Sequence, residues 1–167
     1  MPLSSLLAAV ALAAAPGELP RALEGKLVAV RGGRVAPAEP PGDARLFAFY
    51  FGAGWCGPCR AFVPELRGAY PRLRAAKVAV VFVSDDVSCT AMRDYMVAAR
   101  MPWPALDCRA RHRLRWLREA RGAALPGLLV YDRAGALVAT SWSRGRSAPA
   151  AALRDLLTTT EIGRAHV

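Results

Sequence analysis

Apolar positions along the chain gather into blocks whose period alternates between that of a strand and that of a helix. Residues 46–51 (Leu-Phe-Ala-Phe-Tyr-Phe) and 78–84 (Val-Ala-Val-Val-Phe-Val-Ser) are continuous apolar runs of strand length, the pattern of strands covered on both faces. Between them, residues 59–66 predict a helix that holds Pro64, is loosened by Gly68 and continues through 70–76. Asp85, Asp86 and Ser88 offer N-cap oxygens to a helix over 90–100, which Met101-Pro102-Trp103-Pro104 ends. Leu114 and Leu117 at helical spacing predict a further helix over about 109–120, closed by Gly122. Residues 125–131 read as a strand entered through Pro126, and a turn over 132–135 leads into a strand over 136–141, giving an antiparallel pair. A last helix over 148–158 carries Leu153, Leu156 and Leu157 on one face. Ahead of all these, 19–23 predicts a turn of helix, 26–31 and 34–36 a hairpin through Gly32-Gly33, and 37–43 a Pro-rich connector.

This alternation predicts an α/β fold: a three-layer α/β/α sandwich around a mixed sheet, with parallel central strands, right-handed crossovers and an antiparallel terminal hairpin. At 167 residues the chain suits one domain with a substantial core. The boundaries expected are a leader at 1–15, the hairpin and connector at 16–44, the α/β domain at 45–160 and a separate tail at 162–167. Residues 1–15 are uncharged, small and apolar, end in Ala13-Ala14-Ala15 and precede Pro16-Gly17, the pattern of the h-region and cleavage site of a secretory signal peptide. The expected location is therefore periplasmic or secreted, with a cytoplasmic enzyme as the alternative. The closing Ile162-Gly163-Arg164-Ala165-His166-Val167 matches one reading frame of a common sequencing-adapter oligonucleotide, so His166 carries no functional weight.

The net charge of +10 arises from 21 Arg and only two Lys, Lys26 and Lys77, a skew that fits a GC-rich genome better than a Lys-rich binding patch. The densest basic run holds Arg109, Arg111, His112, Arg113, Arg115, Arg118 and Arg121. A patch for acidic partners, anionic lipid or nucleic acid is one reading. The solvated face of an amphipathic helix is the favoured one.

The chemistry concentrates in Trp55-Cys56-Gly57-Pro58-Cys59-Arg60. Cys56 falls where a strand gives way to a helix, and the unpaired N–H groups and dipole of a helix N-terminus favour a thiolate there. That makes Cys56 the candidate nucleophile and Cys59, one turn on, the thiol that resolves a mixed disulfide. A structural zinc site needs four ligands, and Cys89, Cys108, His112 and His166 lack the spacing of a second half-site. Haem attachment needs His after the second Cys, where Arg60 stands. A purely structural bridge over so short a span, exposed at a helix start, is of the labile kind. Cys89 and Cys108 could pair in an exported protein, but sequence does not bring their Cα atoms within about 7 Å, and free, partly buried thiols are the favoured reading.

Residues 46–157 resemble the thioredoxin superfamily, and within it the tryparedoxin/nucleoredoxin-like branch. The resemblance rests on Phe49-Tyr-Phe-Gly-Ala-Gly-Trp-Cys-Gly-Pro-Cys-Arg-Ala-Phe-Val-Pro-Glu-Leu66, Val80-Val-Phe-Val-Ser-Asp85, Met101-Pro-Trp103 and Leu125-Pro126. It implies that Cys56 attacks and Cys59 resolves, that Pro126 follows a cis peptide bond beside the Cys pair, and that Trp55 and Trp103 support the active-site face together with Gly57 and Pro58. Pro64 matches the kink of the active-site helix. Thioredoxins carry a buried Asp six residues before the first Cys; the tryparedoxin-like sequences have Tyr, as here at Tyr50, and a phenol is a poor base at neutrality. Glu65 is a formal substitute, although a solvated helix carboxylate is the favoured reading.

The expected activity is thiol–disulfide exchange in the reducing direction. Gly57-Pro58 is the thioredoxin dipeptide, and thioredoxin sits at about −270 mV against about −120 mV for the strong periplasmic oxidant. Client protein disulfides are the expected substrates, among misoxidised proteins, cytochrome-maturation apoproteins or a peroxidase. A thiol reductase is the expected electron donor, membrane-bound if the chain is exported. No cofactor, metal or nucleic acid is expected, and the chain is expected to be monomeric. A disulfide oxidase or isomerase, and a redox-silent protein-binding module, are the alternatives.

Overall fold

A computed structural model describes residues 18–165; the expected leader at 1–15 and the last two residues of the adapter-like tail lie outside them. In chain order the elements are α1 (Leu19–Leu23), β1 (Leu27–Arg31), β2 (Arg34–Ala38), β3 (Leu46–Gly52), α2 (Gly57–Ala75), β4 (Val78–Ser84), α3 (Cys89–Ala98) and β5 (Ala105–Leu106). A 3-10 turn (Arg111–Arg113), α4 (Arg115–Ala120), β6 (Gly127–Asp132), β7 (Leu137–Thr140), β8 (Trp142–Ser143), β9 (Arg146–Ser147) and α5 (Pro149–Ala165) complete them.

One seven-stranded sheet has the order β2–β1–β5–β4–β3–β6–β7. β3 pairs parallel with β4 and antiparallel with β6, while β6 pairs antiparallel with β7, so the central strands and the terminal hairpin follow the expectation. Side chains alternate across the pleat and sort the core into two layers. Ala48 and Tyr50 of β3, Val80 and Phe82 of β4, and Leu128 and Val130 of β6 face Phe62 and Leu66 of α2, Met92 and Met96 of α3, and Leu153 and Leu156 of α5. Phe47, Phe49, Phe51, Val81, Val83, Leu129 and Tyr131 face the other way, against α1 and the Trp116 and Leu117 of α4. The result is the three-layer sandwich.

Several elements depart from the sequence reading, each for a tertiary reason. α2 runs 19 residues through Pro64, Gly68 and Pro71, because Phe62, Val63, Leu66, Ala69 and Leu73 are buried along one face and their packing outweighs local propensity. The Arg-rich run is not one helix: it breaks at Leu114 (φ −99°, ψ 75°), a buried residue between the 3-10 turn and α4. Asp107 Oδ1 accepts from Arg109 N at 2.8 Å and Arg111 reaches Ser84 O at 2.6 Å, both drawing the segment out of helical register. Of the three proposed cap residues only Ser88 caps α3, accepting from Ala91 N at 3.0 Å. The two-residue strands β5, β8 and β9 are too short to leave a periodic signal. Cys89 and Cys108, expected as free thiols, are bridged, with Cα atoms 5.5 Å apart; β5, set beside β4, carries the chain back from α3 to within reach of its own first residue.

Candidate active site

β3 ends at Gly52, and the segment Ala53–Trp55 delivers Cys56 to the N-cap position of α2. Gly52 is required by space: a Cβ there would run into the Tyr50 ring. Cys56 and Cys59 are joined by a disulfide, with Cα atoms 5.2 Å apart. Cys59 N donates to Cys56 Sγ at 3.2 Å, one of the helix-terminal N–H groups that would hold a thiolate at this position. The pair is asymmetric: Cys56 is 7% exposed and Cys59 fully buried, against Ala53 and Leu125. Gly57 and Pro58 are exposed at the first turn of α2.

The Leu125–Pro126 peptide is cis, as the resemblance implied, and Pro126 is buried next to Leu125, which packs on the cysteines. Behind it Trp142 packs edge-on against Phe51, donates from Nε1 to Ala124 O at 2.7 Å, and leaves no room for a side chain at Gly127. The sequence carries no signal for Trp142, because the partners of its indole lie 15 or more residues away and two of them, Gly122 and Gly127, are glycines.

Trp55 is 62% exposed and its Nε1 donates to Asp85 O at 3.2 Å, which stands the indole at the rim of the Cys pair. Trp103 does not share that rim. It is fully buried, packs edge-on against Tyr70, and its Nε1 has no hydrogen-bond partner among the described residues, so its role here is core packing. The aromatic-rich loop was legible, but not its inward turn.

The loop before Cys56 rests on the end of β4. Asp86 is buried; its Oδ1 accepts from Gly54 N at 2.8 Å and its Oδ2 from Ser84 Oγ at 2.7 Å. Asp85 is held by a two-pronged Arg121 contact, both bonds 2.5 Å. Arg60 Nη1 donates to Gly54 O at 2.6 Å. The two aspartates therefore shape the loop that carries the cysteines, a part that a reading of them as helix caps misses. Tyr50 is fully buried, and Oη donates to Cys59 O at 3.3 Å. Burial, then the neighbouring Tyr95 and the Asp86 carboxylate, push its phenol far above the ordinary range. Glu65 is exposed on α2. Among the described residues no group of three or more His, Cys, Asp or Glu side chains is placed to hold a metal ion.

Cysteines in this setting, at a helix start beside a cis proline, are built for thiol–disulfide exchange, and the family model described as Thioredoxin-like matches residues 43–137. That span is more than half of the chain, which belongs to the thioredoxin-like oxidoreductase family. Within it the chain falls in the tryparedoxin/nucleoredoxin branch. Probable nucleoredoxin 1 of Arabidopsis thaliana is 42% identical over 99 residues, 56% of this chain and 16% of that protein. Tryparedoxin of Trypanosoma brucei brucei is 35% identical over 94 residues, 54% of this chain and 64% of its own length. The chain thus spans less than two-thirds of these relatives. Among solved structures, tryparedoxin II of C. fasciculata superposes with a TM-score of 0.59 at 30% identity, over 70% of this chain and 77% of that one. The same protein complexed with glutathionylspermidine gives 0.59 at 29% identity, over 71% and 81%.

Proposed function

We propose that the protein is an exported thiol–disulfide reductase in which Cys56 attacks and Cys59 resolves. The observation that carries this reading is the asymmetry of the bonded pair at the α2 N-terminus, with Cys56 at the rim and Cys59 beneath it. In the reduced protein the Cys56 thiolate attacks one sulfur of a client disulfide, and the other client sulfur departs as a thiolate and takes up a proton. Cys59 then loses its proton and attacks Cys56 Sγ, freeing the second client sulfur. The client gains two electrons and two protons, and the protein is left with the Cys56–Cys59 bond. A thiol reductase, membrane-bound for an exported protein, would restore the thiols.

Export draws support from the Cys89–Cys108 bridge, since disulfides persist in oxidising compartments. Sequencing the mature N-terminus from the source cell checks it: a retained Met1 would place the enzyme in the cytoplasm. For the activity, wild type should accelerate insulin reduction by dithiothreitol while Cys56→Ser does not. Equal rates for the two would leave a redox-silent binding module. The potential of the pair should lie below about −200 mV; a value well above it would make the protein an oxidase or isomerase.

A further inference from the structure

Between α2 and α3 a groove starts at the active-site rim and runs away from it. Two cavities, of about 500 and 420 Å³, share Arg60, Tyr95 and Ala98 in their walls and so form one channel. The mouth is apolar: Trp55, 62% exposed, faces it together with Val87, 91% exposed. The far end is cationic, lined by Arg67 and Arg100, while Arg60, whose Nη1 donates to Gly54 O, stands where the two cavities meet. All three arginines are exposed, and among the described residues none forms an ion pair. The carboxylates in the walls are at the mouth, where Asp86 is engaged by Gly54 N and Ser84 Oγ and Asp94 is exposed.

We propose that this groove binds an extended, acidic segment of the client flanking the disulfide under reduction. The proposal rests on the reductase reading and names its substrate class. The guanidinium groups of Arg67 and Arg100 line the far end with no carboxylate in its walls, and carboxylates of a client, which they can grip through paired N–H donors, would supply the missing counter-charge. The exposed indole and Val87 supply apolar contact beside Cys56. From Cys56 to Arg67 is about 16 Å along α2 at about 1.5 Å per residue, the length of roughly five residues of extended chain. The acidic residues of the client therefore fall about three to five positions from its reactive Cys.

Two disulfide-bearing peptides identical except for Asp or Lys at those positions, with neutral hydroxyethyl disulfide as a third substrate, test this. Wild type should favour the Asp peptide by about tenfold in kcat/KM at low salt, and the preference should shrink several-fold at about 0.5 M salt. In R67E/R100E the Asp-to-Lys ratio should fall below one; because the ratio is the readout, a general loss of activity cancels. Equal rates on both peptides in wild type, or a wild-type-like ratio in the variant, would overturn the groove while leaving the reductase intact. Were wild type unable to reduce even hydroxyethyl disulfide, the reductase reading would fall and this one with it.

Discussion

Tyr50 stands where thioredoxins keep a buried carboxylate, and its surroundings decide what it can do. Its Oη donates to Cys59 O at 3.3 Å, and burial raises the phenol far above the ordinary range, so it has no capacity to accept a proton at neutral pH. Its contribution is a buried hydrogen bond and a ring packed on Phe62 and Phe82. Tyr50→Phe keeps the ring and removes the bond. A loss of about 0.5–1.5 kcal/mol in a chemical melt is expected, with kcat/KM for insulin reduction within about twofold of wild type. A drop of about a hundredfold at unchanged stability would instead put the phenol in the proton path of Cys59.

At the scale of elements, the active-site loop is held by its neighbours: Gly54 by Asp86, Trp55 by Asp85 O, and the β4 end by Arg111 and Arg121. The Cys89–Cys108 bridge ties the start of α3 to the segment leading into the 3-10 turn. With its cysteines 19 positions apart in sequence, it restricts the unfolded chain by about 3 kcal/mol, and Cys89→Ser/Cys108→Ser should lower Tm by roughly 5–15 °C. The variants are best compared in a Cys56→Ser/Cys59→Ser background, where equal Tm values would mean that the bridge contributes nothing. What was legible in the sequence follows the same division. β4 and the Cys pair were readable because a seven-residue apolar run and a local motif carry their own signal. The bridge, the break at Leu114 and the inward turn of Trp103 were not, because each is set by a residue distant in sequence: Cys108 for Cys89, Ser84 for Arg111, Tyr70 for Trp103.

For the whole molecule, the two core layers bear on stability through the tyrosines. The chain has four, and burial raises the phenol pKa of every one: Tyr50, Tyr70 and Tyr95 upward, Tyr131 to about 12. An unfolded phenol releases its proton near about pH 10, whereas the native one holds it. Above that pH the native state therefore binds more protons than the unfolded state, and stability falls as pH rises. The contribution is fully present below about pH 10 and is lost as pH rises through the raised native values, about 12 for Tyr131, at about 1.4 kcal/mol per pH unit for each phenol still protonated in the fold. The expected alkaline titration therefore has no phenolate step near pH 10. Phenolate absorbance should rise at higher pH, steeply and together with loss of far-UV circular dichroism. A phenolate step near pH 10 with the circular dichroism intact would mean that at least one of these rings reaches solvent.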